Sequence, residues 1–203
     1  MRILYLHQYF ATPAVAAGTR SYEFCRRLIG SGHDVTMVTS DAFLPAEFKG
    51  RNGKWDTVID GIKVIVIPQP YSNQMSFAKR IEAFLFFAFK ASLLSIRGKV
   101  DVVFATSTPL TIAIPGIIQK YRKSAPLVFE VRDLWPEMPI AMGALRNPMA
   151  RFLARSLEWI AYQSAQQIVA LSPGMAEGVV RGGGKRAKVS VIPNACDLDL
   201  FQI

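Results

Sequence analysis

The chain has few of the residues that staple or metallate small proteins: two cysteines and two histidines in 203 residues. Cys25 falls in a helical pattern and Cys196 in a terminal loop, so no zinc-type pair exists and a reducing compartment is the plain reading. His7 closes an apolar run and His33 sits in a helix-to-strand turn at the opposite edge, which excludes a shared metal. A lone strand-end histidine reads as structural. G-x-G-x-x-G is missing, so a nicotinamide enzyme is a poor fit despite Asp41 after the second strand pattern. No apolar run is long and uncharged enough to span a bilayer, and the opening Met1-Arg2-Ile3-Leu4-Tyr5-Leu6 is too short for a signal peptide. Internal repeats and low-complexity tracts are also missing. Acidic residues are scarce, 15 against 24 basic, and the formal charge of +9 favours an anionic partner: nucleotide, phospholipid surface or nucleic acid. The chain has neither aromatic-interleaved basic strands nor a helix-turn-helix pattern, which sets nucleic acid aside.

What is present is a 51% apolar chain, one domain or half of a larger enzyme, with length for a real core. Val/Ile-rich strand patterns at 2–7, 34–39, 62–68, 100–106, 127–131, 167–171 and 188–192 alternate with helical patterns at 19–31, 76–96, 110–123, 148–166 and 174–181. Several strands are apolar on both faces. This predicts an α/β fold with a doubly wound, mostly parallel sheet flanked by helices. Residues 41–60, with Pro45, Gly50, Asn52 and Gly53, lack clean periodicity and are expected to form a long loop over the active edge.

The segment Val128-Phe129-Glu130-Val131-Arg132-Asp133-Leu134-Trp135-Pro136-Glu137 carries the sharpest chemical signal. A buried strand there releases opposite charges, an indole and a proline at the carboxyl edge, where open α/β sheets bind ligands. Asp133 could orient a sugar hydroxyl or take its proton. Alternatively, Asp133 caps the next turn while Arg132 pairs with Glu137 or Glu130. The first βα turn, Ala16-Ala17-Gly18-Thr19-Arg20, either brings backbone and helix N–H groups to a phosphate or is simply tight. Thr106-Ser107-Thr108-Pro109 and Ser172-Pro173-Gly174 read first as helix caps. Asp197-Leu198-Asp199 lies outside the sheet's rhythm and is not read as a metal site. The greasy pattern 76–96 is either a core helix or an interfacial one. In the second case Phe86 and Leu93 press into anionic lipid while Lys79, Lys90 and Arg97 snorkel to headgroups.

Five pieces in order carry a family resemblance: the first strand with Gly18 and Arg20; Gly32-His33-Asp34-Val35; Asp101-Val102-Val103 with Ser107-Thr108-Pro109; the Arg132-to-Glu137 box; and Val191-Ile192-Pro193-Asn194-Ala195-Cys196-Asp197 with Phe201. The chain resembles the amino-terminal half of a GT-B glycosyltransferase of the family-4 type, nearest the bacterial enzymes of O-antigen, capsule or colanic-acid synthesis. The resemblance implies an acceptor-binding domain at 1–193 and, at 194–203, the start of a linker to a donor-binding domain not contained in this sequence. It implies a retaining, metal-independent transfer of a sugar from a nucleotide-sugar, a co-substrate rather than a cofactor, to a lipid-linked saccharide in lipopolysaccharide or related polysaccharide synthesis. The expected location is cytoplasmic, peripheral on the inner membrane face. By the same likeness Gly18 and Thr19 meet the donor phosphate and sugar. Tyr9, Arg20, Ser107, Thr108, Arg132 and Glu137 surround the acceptor, and Asp133 is the catalytic residue at the reacting hydroxyl. Basic side chains and helix dipoles would stabilise the leaving diphosphate.

Three departures accompany the likeness. Arg132 stands where many relatives have histidine, Ala17-Gly18 replaces a double glycine, and the family's glutamates eight positions apart have no counterpart. The isolated chain is therefore expected to turn over negligibly. A rival expectation is a non-catalytic, membrane-docked acceptor-binding subunit that works with a separate donor-binding protein.

Overall fold

The computed structural model describes residues 1–195 apart from 51, 70 and 73. Cys196, the Asp197-Leu198-Asp199 triplet, Phe201 and nearly all of the proposed linker lie outside the described residues. Eight strands form one sheet in the order β3-β4-β2-β1-β5-β6-β7-β8. They are β1 (Arg2–Leu6), β2 (Asp34–Ser40), β3 (Trp55–Ile59), β4 (Ile62–Ile67), β5 (Val102–Thr106), β6 (Leu127–Val131), β7 (Gln167–Ala170) and β8 (Val189–Val191). Every pairing is parallel except β3 with β4. The helices are α1 (Arg20–Gly30), α2 (Phe77–Leu93), α3 (Ala113–Lys123), α4 (Glu137–Ala141), α5 (Pro148–Ser164) and α6 (Pro173–Arg181).

Both faces of the sheet's central strands are covered, which is why those strands read as near-continuous apolar runs. Side chains alternate along β1: Leu4 and Leu6 enter one core with Phe87, Phe129 and Tyr162, whereas Ile3 and Tyr5 enter the other with Tyr22, Cys25 and Met37. Helix α3 packs against both α2 and α5, so these three lie side by side over the first core, while α1 closes the second. Local signals set the helix ends. Ser76, Asn147 and Ser172 accept from the backbone N–H of Lys79, Ala150 and Met175 respectively, and Pro148 and Pro173 occupy the first helical positions.

Residues 41–60 are not a continuous loop. Ala46–Phe48 forms a 3-10 turn, and Trp55–Ile59 pairs antiparallel with β4 as an edge strand. Its turn, Asp60-Gly61, has φ 48° and 81°, the left-handed pair that a tight hairpin requires. Its exposed side chains, Asp56 and Val58, alternate with partly buried ones, and the polar Lys54, Asp56 and Thr57 hide it from a search for apolar runs. The short helix α4 was also unmarked by periodicity.

The chain leaves β1 for β2 on one side and later returns to β5 on the other. The carboxyl ends of β1, β5 and β6 therefore lie side by side at a topological switch point, the position where open sheets form ligand crevices.

Candidate active site

A buried carboxylate anchors the crevice. Glu130, in the apolar strand β6, is wholly buried, and its charge demands a partner. Arg20, at the first turn of α1, supplies it through Nε at 2.9 Å to Oε1. Thr106 donates to Oε2 at 3.0 Å, and the Tyr5 hydroxyl, 3.2 Å from Thr106, donates to Ser21 at 3.3 Å. Burial, followed by the Glu130 charge, pushes the Tyr5 phenol well above its ordinary range, so it stays a neutral donor. The remaining Arg20 donors reach the exit strand. One nitrogen lies 2.7 Å from the Pro193 carbonyl and 3.4 Å from Asn194 Oδ1, the other 2.8 Å from the Ile192 carbonyl. With its guanidinium also over the Phe24 ring, Arg20 ties α1 to β6 and to the residues after β8. That is a different task from the acceptor contact expected of it.

The Arg132-Asp133 turn follows directly. Arg132 N donates to Ser107 Oγ at 3.0 Å, and Thr108 Oγ1 donates to Asp133 Oδ2 at 2.7 Å. The Ser107 and Thr108 hydroxyls therefore cross to the β6 loop instead of capping the next helix, which has no side-chain cap. Thr108 has φ 127°, a region unfavourable to a β-branched residue and one that clusters at functional sites. Asp133 is solvent-exposed, and its carboxylate is held by Thr108 rather than by the following turn, where Trp135 N uses the Asp133 carbonyl at 3.0 Å. Leu134 behind it fits where Gly178 of α6 has no side chain: a Cβ there would sit 2.5 Å from Leu134 Cδ1.

Arg132 pairs with neither Glu130 nor Glu137. Its guanidinium lies 3.4 Å from His7 Nε2, and a Cβ at Gly18 would touch it at 3.4 Å. Gly18, Thr19, His7, Ser107, Thr108, Arg132 and Asp133 thus share one edge. Tyr9 borders it in an aromatic cluster, its ring centroid 4.7 Å from Tyr71, 5.5 Å from Phe43 and 6.3 Å from Phe84. Glu137 does not join them. It is exposed at the start of α4, and its charge acts on Glu158 of α5, whose carboxyl burial pushes up to about 7.

A separate cavity of about 840 Å³ opens at the opposite edge beside Arg2, Asp34, Lys63 and Lys99. Several of its charges pair, with Lys63–Asp34 at 2.8 Å, Lys54–Asp56 at 3.3 Å and Lys99–Asp101 at 3.5 Å, and basic side chains outnumber acidic ones along its wall; it sits at the amino ends of the strands, away from the crevice. Among the described residues no cluster of three or more His, Cys, Asp or Glu could hold a metal. No helix among them is long and apolar enough to cross a membrane. Helix α2 is shorter than the pattern 76–96, ending at Leu93, and it is buried on one side only. Phe84, Phe87, Ala88 and Ala91 are buried, whereas Leu85, Phe86, Phe89 and Leu93 are exposed, as are Lys79 and Lys90; Arg97 lies beyond the helix end and lines the 840 Å³ cavity. Lys90 lies over the Phe86 ring.

His7 and Glu130 carry more of the site than sequence reasoning assigned to them. The available signals were a histidine-glutamine pair ending an apolar strand and an acid inside another.

A doubly wound sheet with polar side chains gathered at its switch point, bordered by a helix N-terminus, is the arrangement in which α/β domains bind ligands. The chain belongs to the glycosyl transferase 4-like domain family, whose model matches residues 16–195. It also shares its fold with solved structures. Starch synthase IV from Arabidopsis thaliana, bound to ADP and acarbose, aligns with TM-score 0.64 and 17% identity over 98% of this chain and 52% of that one. Sucrose-phosphate synthase from Thermosynechococcus elongatus gives 0.61 and 14% over 98% and 49%. Anabaena HepE in complex with UDP and glucose gives 0.55 and 18% over 99% and 46%. The chain spans about half the length of these structures. No curated protein matches it. The architecture is that of one Rossmann-like domain of a GT-B glycosyltransferase.

Proposed function

We propose that the chain is the acceptor-side domain of a retaining glycosyltransferase that moves a sugar from a nucleotide-sugar to a lipid-linked saccharide of a cell-surface polysaccharide, without a metal. The observation that carries this reading is the convergence of Gly18, Arg132 and Asp133 at the carboxyl edge of β1 and β6. In the reaction an acceptor hydroxyl oxygen forms the new bond to the anomeric carbon and the nucleoside diphosphate leaves. Asp133, steadied by Thr108, would orient that hydroxyl and receive its proton. Arg132 and the unpaired N–H groups at the start of α1, next to Gly18 and Thr19, would stabilise negative charge on the departing phosphate. Ser107, which fixes the Arg132 backbone, is a positioning residue. Tyr9 would line the acceptor's path. Residues 1–193 form the acceptor domain, and 194–203 would lead to a second, donor-binding domain, without which turnover is negligible. Support for a nucleotide-sugar donor comes from the family and from the UDP-glucose complex of the Anabaena structure.

The outer face of α2 is the proposed membrane contact, on the cytoplasmic surface. Phe86 and Leu93 would enter the headgroup boundary while Lys79, Lys90 and Arg97 meet anionic lipid. The deciding experiment joins the chain to a family donor domain and measures transfer from nucleotide-sugars. Asp133→Asn and Asp133→Ala should each lower kcat at least about a hundredfold, the scale of a lost general base. Undiminished transfer by both variants would refute the assignment.

A further inference from the structure

The cavity of about 840 Å³ at the amino ends of the strands lies over a corner of the sheet that no helix covers. Register partners share a face, so Leu4, Thr36, Lys63 and Val58 form one row across β1, β2, β4 and β3. Leu4 belongs to the core beneath α2 and is 1% exposed, yet Val58 at the far end of the row is 62% exposed. The cause is topological. The connection from β2 to β4 contains a 3-10 turn and an edge strand but no α-helix, and α2, the next helix, stops at Leu93. The sheet beyond it stays bare.

The segment after α2 forms one wall, and α3 holds it in place. Gln119 donates to the Leu94 carbonyl at 3.1 Å, and Lys123 donates to the carbonyls of Ile96 and, at 3.1 Å, Gly98. Arg97 and Lys99 line the cavity from this wall, and Arg2, Lys54 and Lys63 line it from the sheet. Two carboxylates, Asp34 and Asp56, share the lining, and Asp101 lies 3.5 Å from Lys99 and 3.9 Å from Arg2. Positive charge is left over, and among the described residues Arg97 has no ion-pair partner. The existing pairs are solvent-exposed and weak, so a stronger anion can enter among them. The floor is largely aliphatic and no aromatic side chain lines it. Nucleobases would find nothing to stack on, and a neutral sugar would leave the surplus charge unanswered. A phosphate on an aliphatic body meets both parts. Helix α2 points to the source of such a body: Leu85, Phe86, Phe89 and Leu93 are exposed, and the cavity wall begins at Ser95, directly past the helix end. An exposed apolar helix side that runs into a cationic hollow suits an anionic lipid surface, with apolar groups in the boundary and cations on phosphates.

We propose that this bare corner of the sheet is a headgroup site, in which Arg2, Lys63, Arg97 and Lys99 bind the phosphate of an anionic phospholipid while the exposed side of α2 enters the same membrane surface. The site rests on the membrane contact proposed for α2 and gives that contact its selectivity for anionic lipid. It lies at the opposite end of the strands from the crevice, so a bound headgroup leaves the crevice open.

The test uses the 203-residue chain and vesicles of phosphatidylcholine, alone or with about one-third phosphatidylglycerol. One variant, Lys63→Gln with Arg97→Gln and Lys99→Gln, removes three exposed cations of the cavity. A control, Arg26→Gln with Arg27→Gln and Lys49→Gln, removes the same charge from exposed positions on α1 and beside Phe48, over the second core. A cation at an anionic surface is worth about fivefold in affinity, so the cavity variant should bind mixed vesicles on the order of a hundredfold more weakly. The control, screened by its distance from the lipid, should lose less than about threefold. If the triple variant does not fold, Arg97→Gln alone, outside every helix and strand, carries the test with a loss of about fivefold. Equal losses in the cavity variant and the control would reduce the effect to net charge and overturn the site. Calorimetric binding of inorganic phosphate or glycerol phosphate that the cavity variant loses, without preference for mixed vesicles, would make the occupant a soluble anion and overturn the lipid assignment. Mixed-vesicle binding that needs Phe86, Phe89 and Leu93 but ignores the cavity cations would remove the site and leave the α2 contact standing. Failure to bind any vesicle would remove both.

Discussion

Removing Arg20 should cost more stability than removing any other single charge in the crevice. Its side chain is 8% exposed and that of its partner Glu130 0%, so neither can retreat to water. Arg20→Met strips the Glu130 carboxylate of its 2.9 Å partner and leaves only the Thr106 hydroxyl at 3.0 Å. A buried charge left unpaired costs about 3–5 kcal/mol. The lost contacts to Ile192, Pro193 and Asn194 add little, because those groups are exposed and water replaces the guanidinium. Glu130→Gln is milder: a neutral amide still accepts from Thr106, and Arg20 retains the two carbonyls, for a cost of about 1–3 kcal/mol. In the double variant no buried charge remains. It should be less stable than wild type by clearly less than the sum of the singles, with a coupling of about 2 kcal/mol. Urea unfolding of all four proteins closes this cycle. Hydrogen exchange should show faster exchange at residues 192–195 in Arg20→Met, since the clasp on the exit strand is gone. A cost below about 1 kcal/mol for Arg20→Met, or strict additivity, would refute the buried-pair account.

The other expectations are simpler. Glu158 ionises near 7 in the folded protein because of burial, with Glu137 adding to the shift and the Tyr162 hydroxyl opposing it. Its ordinary value is 4.5, so between these values the native state holds the extra proton and stability falls as pH rises through the window. Glu158→Gln should flatten that slope in pH-dependent melts, and an unchanged slope would count against it. Gly178→Ala sets a helix-propensity gain of about 1 kcal/mol against a Cβ driven into Leu134. Overpacking of about 1–3 kcal/mol should win, read as a lower thermal midpoint. Replacing outward Phe86, Phe89 and Leu93 of α2 by serine should abolish co-sedimentation with anionic vesicles while the fold survives. Retained binding would move the membrane contact off this helix.

The sequence and the structure agree best where one physical rule acted alone. Both-face burial forces Val/Ile runs, so seven strands were legible, and serine before proline marked the start of α6. Where two rules compete the reading slips. The edge strand β3 has only half its side chains dry, and its charged neighbours resemble loop. The Ser107 and Thr108 hydroxyls looked like caps because local chemistry favours caps, yet the β6 loop lies closer in space.

Composition, periodicity and the charged box after the fifth strand pattern were enough to determine a parallel α/β domain with its chemistry at the strand ends, because those features depend on neighbours in the chain. Which charges meet is a different matter. Glu130 finds Arg20 across 110 positions and His7 finds Arg132 across 125. Those partnerships arise only when β1, β5 and β6 are laid side by side, for burial removes water as an alternative partner and leaves each polar atom to whatever the fold has brought within reach.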